Sequence, residues 1–303
     1  MTKTKTNTWT LLPFSIDEAR DLQAVLKIHP IFCQILVQRG IKTYEEAKQF
    51  FRPSLANLHD PFLMQDMAAA VSRLTYALKN KQKILLYGDY DVDGTTSVAL
   101  LYNFLKPYAK WDNLHFYIPD RYKEGYGVSM QSVEFANDND FDLIIALDCG
   151  IQAVEAVERA QSYGIDYIIC DHHLPAATLP DAVAVLDPKR KGCDYPYKEL
   201  SGCGIGFKLA QAFTEQHNLP LENLHSLLDL VAISIACDIV PMTGENRILA
   251  KFGMQQLDKN ERPGLQALLK ISKKETPLTV SDLVFGFGPL INAAGRLADA
   301  DRA

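Results

Sequence analysis

The chain has 303 residues, 48% of them hydrophobic and 22% charged, with a formal net charge of −6. That composition suits a soluble globular protein holding one large domain and an accessory region. No run approaches the roughly 18 apolar residues needed to cross a bilayer, and the acidic balance carries no global signature of a nucleic-acid binder.

The polar opening from Met1 to Thr6 has no apolar core behind it, so it does not read as a signal peptide; the expected location is cytoplasmic, with no membrane partner. Six cysteines stand singly, at 33, 149, 170, 193, 203 and 237, without a Cys-x-x-Cys pair. A reducing compartment fits, and a disulfide framework or zinc ribbon is not indicated.

The first 80 residues read as a helical accessory region. Ser15 or Asp17 can cap a helix over residues 18–26, Thr43 stands at capping-box spacing from Glu46, and a further helix is predicted from Asp66 to Lys79. From Lys83 the texture changes. Short apolar runs at 83–87, 114–118, 142–147, 166–170 and 183–186 alternate with helical stretches. Such runs predict an α/β fold, a doubly wound and mostly parallel sheet covered on both faces. Ligands of that plan bind beyond the carboxyl ends of the strands. A catalytic domain is expected over 81–260 and a helical extension over 261–303.

The five runs close on Asp89, Asp120, Asp148, Asp171 and Asp187. A solvent-facing rim accounts for one or two acidic strand ends and poorly for five. The first is the most crowded: Gly88-Asp89-Tyr90-Asp91-Val92-Asp93-Gly94 sets three carboxylates within five residues. Two unit charges about 5 Å apart repel by roughly 3 kcal/mol at an effective dielectric near 20. Such a group needs a counter-cation or a raised pKa.

After the fourth run stands Asp171-His172-His173, and after an apolar helical stretch stands Asp238. On an extended backbone neighbouring side chains point apart, so one imidazole is expected to bind metal and the other to contact substrate phosphate. Carboxylates with imidazole suit Mn²⁺ or Mg²⁺. Zinc held by the adjoining Cys149, Cys170 and Cys237 is the rival; alternation turns these thiols away, and they read as small buried hydrophobes. The glycine-rich stretch Ser201 to Lys208 enters a helix, and Gly202 and Gly204 are candidates for bringing backbone amides to an anion, against the plainer reading of a tight turn. Near the end, small residues around Arg296 would let its guanidinium reach a phosphate, against the reading of a surface arginine after a packed turn.

Gly88 to Gly94, Ala146-Leu147-Asp148-Cys149-Gly150, Asp171-His172-His173 and Ala236-Cys237-Asp238 resemble the four motifs of the DHH phosphoesterase superfamily. Ile118 to Arg121, Glu124 to Gly127, Ser201 to Lys208 and Gly288 to Leu297 make the chain similar to its bacterial branch of single-strand-specific 5′→3′ exonucleases. So do Arg39 to Ile41, Pro53 to Leu55 and Leu58 to Pro61. The resemblance covers nearly all 303 residues.

The resemblance implies metal-dependent phosphodiester hydrolysis, degrading single-stranded DNA to mononucleotides in DNA repair and recombination. Asp91, Asp93, Asp148, His172 and Asp238 would hold two divalent ions, Mn²⁺ or Mg²⁺, with Asp148 bridging and Asp89 a ligand or the orienter of one. His173 would face the scissile phosphate, and Arg296 and Asn292 would hold substrate. Tyr122, Lys123 and Tyr126 are candidates for the strand's path. A single-strand-binding protein and a helicase are candidate partners. Members of the branch continue into a second domain with a Gly-Gly-His motif, then an oligonucleotide-binding barrel, so the sequence is expected to be a piece of a longer protein. The alternatives are a relative acting on short oligonucleotides, cyclic dinucleotides or pyrophosphate, and a metal-free scaffold. The complete set of carboxylates disfavours the scaffold.

Overall fold

The computed structural model describes residues 10–109, 112–259 and 262–297, with side chains as far as residue 294. These fall into two compact units, one reaching Ala56 and one starting at Asn57.

The first unit packs α1 (Ile16–Leu26), α2 (Pro30–Gln38) and α3 (Tyr44–Phe51) around Leu22, Cys33, Leu36, Val37 and Ala47. Ser15, rather than Asp17, caps α1, its Oγ accepting the Glu18 amide at 3.2 Å. The capping box of α3 forms, with Thr43 Oγ1 accepting the Glu46 amide at 3.2 Å and Glu46 accepting the Thr43 amide at 2.9 Å.

In the second unit α4 (Met67–Lys79) leads to the sheet. The strands are β1 (Ile84–Gly88), β2 (Leu114–Tyr117), β3 (Leu143–Leu147), β4 (Asp166–Cys170) and β5 (Ala184–Leu186). All neighbours are parallel, in the order β2-β1-β3-β4-β5. Because side chains alternate across a strand, the sheet buries two faces. Leu85, Tyr87, Ile144, Ala146, Tyr167, Ile169 and Val185 pack on α6 (Met130–Asp138) and α7 (Val154–Ser162). The other face meets α5 (Val92–Leu105) and α8 (Gly202–Gln216), with α4 beside β5. This is the expected doubly wound α/β plan.

After α9 (Leu221–His225), α10 (Leu228–Cys237) packs on α5, α8 and α11 (Gly244–Lys259). α12 (Pro263–Ser272), α13 (Val280–Asp282), a π-helical turn at Leu283–Phe287 and α14 (Gly288–Leu297) follow. Leu265, Leu269, Leu283, Phe287 and Ile291 share one cluster with Val92, Ala232, Ile233 and Ala236. The described part of the expected extension 261–303 is thus packed into the same compact unit as the sheet.

Two polar anchors fix this frame. Arg73 of α4 reaches Asp166 at 2.5 Å, Gln82 at 2.8 Å and the Asp142 carbonyl at 3.1 Å, tying the helix to the starts of β3 and β4. Lys208 of α8 is fully buried and lies 2.7 Å from Glu245 of α11. Its ammonium also donates to the His59 carbonyl and Gln211, both at 2.9 Å.

Candidate metal centre

Three strand ends and one helix end converge on one spot. After β1 the chain turns so tightly that a Cβ on Gly94 would collide with the Asp89 backbone. That turn aims Asp89 inward and starts α5, whose N-cap is Asp91, with Oδ1 accepting the Gly94 amide at 3.0 Å. Asp148, just past β3, sits in the left-handed region with φ +60°, and its amide donates to the Cys170 carbonyl at 2.8 Å. An aspartate pays little in αL compared with bulkier residues. Gly150 follows at φ +107°, a conformation that favours glycine.

Asp171 acts as the clamp of this corner. Its Oδ2 accepts the Ile151 amide at 2.8 Å, and Oδ1 accepts the amides of His172 and His173 at 2.7 and 3.1 Å. The same oxygen lies 2.7 Å from His173 Nδ1. Burial opposes its ionisation, but the His173 hydrogen bond and charge hold it below the usual carboxylate range. In return that hydrogen bond raises the pKa of His173, whose Nε2 stands 3.0 Å from the Tyr126 hydroxyl.

The two imidazoles diverge in surroundings. His172 Nε2 lies 3.2 Å from Asp148 Oδ1, 3.6 Å from Asp238 Oδ2 and 3.8 Å from Asp93 Oδ2. None of these is a hydrogen bond: both His172 nitrogens, Asp148 Oδ1, Asp238 Oδ2 and Asp89 Oδ1 are buried polar atoms without a hydrogen-bond partner. Burial with mutual repulsion pushes Asp89 and Asp238 up to about 7, and Asp148 well above its ordinary value. Burial pushes His172 down, toward the neutral form that ligates metals.

Among the described residues three groups set one ligand atom each within 4.8 Å: Asp89–Asp91–Asp148, Asp93–His172–Asp238 and Asp148–His172–His173. Asp148 and His172 are each shared between two groups, an arrangement with room for two adjacent cations. The unpartnered oxygens and nitrogens fit a hard divalent ion. No cysteine sulfur joins these groups among the described residues. Cys149 and Cys170 are buried and Cys237 half-buried, although Asp148 reaches its position through a left-handed turn and not through strand alternation.

Several expectations shift. The amides of Gly202 and Cys203 are already given to the Asp93 carboxylate, at 2.7 and 2.8 Å, and that of Gly204 to Ser201 Oγ at 3.1 Å. The anion at the start of α8 is therefore a side chain of this protein, so Gly202 and Gly204 do not offer free amides to substrate. Gly202 serves instead as a spacer, since a Cβ there would lie 2.6 Å from Asp148 Oδ1. Asp120 turns back on its own loop, accepting the Tyr122 and Lys123 amides at 2.9 and 3.2 Å. Asp187 accepts the Lys189 amide at 2.7 Å, and burial pushes it up to about 7. Asn292 is half-buried on α14, which packs against α5. The Arg296 side chain lies outside the described residues.

Sequence reasoning missed the hydroxyl support. Ser234 Oγ of α10 lies 2.7 Å from Asp93 Oδ1 and 2.6 Å from Ser201 Oγ. Its signal was a hydroxyl inside the otherwise apolar run Leu230 to Ala236.

Residues 83–235 match the family model described as DHH family, N-terminal domain. The chain belongs to the DHH family. Within it, the chain is 41% identical over 288 residues to the single-stranded-DNA-specific exonuclease RecJ of Bacillus subtilis, covering 95% of this chain and 36% of that protein. Against RecJ of Escherichia coli it is 35% identical, covering 94% of this chain and 50% of that protein. The structure of RecJ from Thermus thermophilus in complex with Mn²⁺ superposes with a TM-score of 0.80 at 28% identity, over 96% of this chain and 40% of that one. The chain thus spans half or less of the length of these relatives. Among its described residues no helix is long and apolar enough to cross a membrane.

Proposed function

We propose that this DHH-family chain carries the metal-dependent hydrolytic centre of a single-stranded-DNA exonuclease that works 5′→3′ and releases mononucleotides during DNA repair and recombination. The observation that carries the reading is the convergence of unpartnered, buried ligand atoms from Asp89, Asp148, His172 and Asp238 beside Asp91 and Asp93. RecJ relatives, one of them solved with Mn²⁺, support it.

Asp89, Asp91, Asp93, Asp148, His172 and Asp238 would hold two divalent cations, Mn²⁺ or Mg²⁺. Bound there, such ions acidify water and stabilise charge on both oxygens of an in-line displacement. The remaining work falls to the protein's own side chains. In the hydrolysis, water oxygen bonds to phosphorus, the phosphorus–oxygen bond to the next nucleotide breaks, and the leaving oxygen takes a proton. His173, whose pKa the Asp171 hydrogen bond raises, would offer its Nε2, which stands 3.0 Å from the Tyr126 hydroxyl, to the non-bridging oxygens, where negative charge builds. Arg296 and Asn292 are assigned to the substrate phosphate. Single-stranded DNA is the substrate in this reading, reached in the cell with a single-strand-binding protein and a helicase.

The test is Mn²⁺-dependent release of mononucleotides from a labelled single strand, with duplex and dinucleotide alongside. Digestion of the long strand, abolished by chelator, is expected. Cleavage of dinucleotide alone would transfer the site to a short-substrate phosphodiesterase. Turnover that survives chelation would end the metal account.

A further inference from the structure

Buried hydroxyls on the helices around the centre share one habit, which Ser234 breaks. Thr96 and Ser97 of α5 and Thr214 of α8 give their hydroxyls to the carbonyl four residues back, at 2.6, 2.6 and 2.8 Å. Such a bond keeps the proton inside the helix that owns it. Ser234 of α10, fully buried among apolar neighbours in its helix, turns its hydroxyl toward two other helices instead. Its Oγ lies 2.7 Å from Asp93 Oδ1 of α5 and 2.6 Å from Oγ of Ser201, the N-cap of α8.

A serine hydroxyl has a single proton to give, and a carboxylate offers about four lone-pair positions. The carboxylate is the acceptor at one end of this chain, so the Ser234 proton goes to Asp93 Oδ1 and the Ser201 proton goes to Ser234 Oγ. Ser201 Oγ in turn accepts the Gly204 amide at 3.1 Å. On Asp93, Oδ1 also takes the Cys203 amide at 2.8 Å, and Oδ2 takes the Gly202 amide at 2.7 Å. Oδ1 is thereby full. What remains is a lone pair on Oδ2, the oxygen that stands 3.8 Å from His172 Nε2.

We infer that Ser234, with Ser201 behind it, positions Asp93 to meet a cation through Oδ2 alone, and that this one-oxygen contact makes the centre prefer Mn²⁺ to the larger Ca²⁺. The inference rests on the hydrolase reading and deepens it, by naming what selects the ion. Ca²⁺ accepts about six to eight oxygens and readily takes both from one carboxylate, whereas Mn²⁺ suits an octahedral set of oxygens. A carboxylate whose second oxygen is already filled serves the octahedral ion without loss and denies Ca²⁺ an extra contact. Ser234 is a positioning residue, acting through Asp93; it belongs to none of the ligand groups itself.

Mn²⁺ and Ca²⁺ are titrated separately by calorimetry into chelator-stripped protein, and the ratio of the two affinities is compared between variants. Ser234→Ala removes the proton and frees Oδ1. The preference for Mn²⁺ should then fall by about tenfold or more, the scale seen when groups supporting metal ligands are altered. Ser201→Ala leaves Ser234 its own proton for Asp93 and should keep the parent ratio, although the Gly204 cap is lost. If Ser234 only packs helices together, its loss loosens the site for both ions alike. An unchanged ratio in Ser234→Ala therefore overturns the inference, as does an equal fall in Ser201→Ala. Ser234→Cys, similar in size but a weak donor, carries the same comparison should the alanine variant not fold. A parent that binds both ions without preferring Mn²⁺ overturns the inference alone, whereas a parent that binds neither overturns the hydrolase reading itself.

Discussion

The carboxylate of Asp93 and the backbone amide of Gly202, 109 positions apart in the chain, lie 2.7 Å from one another. Asp93 thereby caps a helix it does not belong to, and does so from inside the cluster of candidate metal ligands. The helix dipole and three hydrogen bonds, from Gly202, Cys203 and Ser234, compensate a charge that burial alone would penalise.

Asp93→Ala should therefore be costly even without metal. Loss of charge-assisted bonds to buried donors is expected to lower stability by about 2–4 kcal/mol. Asp91→Ala, which loses one cap hydrogen bond but relieves repulsion, should stay within about 1 kcal/mol of the parent. Urea unfolding of the chelator-treated proteins compares them. Equal stabilities would show that Asp93 does not hold the start of α8.

Gly202→Ala tests the spacer. The new Cβ would stand 2.6 Å from both Cβ and Oδ1 of Asp148, and that carboxylate is shared between two of the ligand groups. Displacing it should weaken Mn²⁺ binding by about 10–100-fold, the scale seen when groups supporting metal ligands are altered. Calorimetric titration with Mn²⁺ reads the effect, and parent-like affinity would mean Asp148 can move freely.

The pH dependence of the metal-free protein has a definite sign. Asp89, Asp187 and Asp238 have folded-state values of about 7 because burial disfavours their charged forms. A carboxyl raised above its unfolded value of about 3.9 adds stability that is fully present below that value and is lost as pH rises through about 7. The thermal midpoint without metal should fall between about pH 5 and 7. Saturating Mn²⁺ should flatten or reverse the trend, since protons compete with the cation. A metal-free midpoint that rises over this range would contradict the protonated cluster.

The buried pair Lys208–Glu245 offers a test away from the site. Burial lowers the Lys208 pKa against the opposing pull of Glu245, yet that carboxylate also accepts from the Tyr195 hydroxyl at 2.6 Å and the His59 amide at 3.0 Å. Glu245→Gln leaves a buried ammonium without its counter-charge and should cost about 3–5 kcal/mol. Adding Lys208→Met should recover part of the loss. Additive losses in the double variant would argue that the pair is not coupled.

Much of this was legible from residue order. The five apolar runs became the five strands because continuous hydrophobic segments between helices suit a sheet covered on both faces. Convergence of Asp89, Asp148 and Asp171 follows from strand ends in a parallel sheet, which share one edge. What escaped was the direction of side chains set by helix packing. The glycines at 202 and 204 read equally as a tight turn or a site for an external anion, because nothing local says that Asp93, in contact only once α5 and α8 pack together, has taken the Gly202 and Cys203 amides, or that Ser201 Oγ has taken that of Gly204. Asp120 and Asp187 occupy the same rim by register, yet their turns fold the carboxylates onto neighbouring backbone amides.

The sheet order has a consequence for assembly. Because the candidate ligands come from β1, β3, β4 and the end of α10, they are neighbours only after several separate chain crossings have closed. Contacts between such distant segments form late and slowly in folding. Cation affinity should therefore report completion of the topology: a partly assembled chain would bind Mn²⁺ no better than scattered aspartates do. A truncation ending at residue 235 would keep every strand, yet it would lack Asp238 and leave the centre open at one corner.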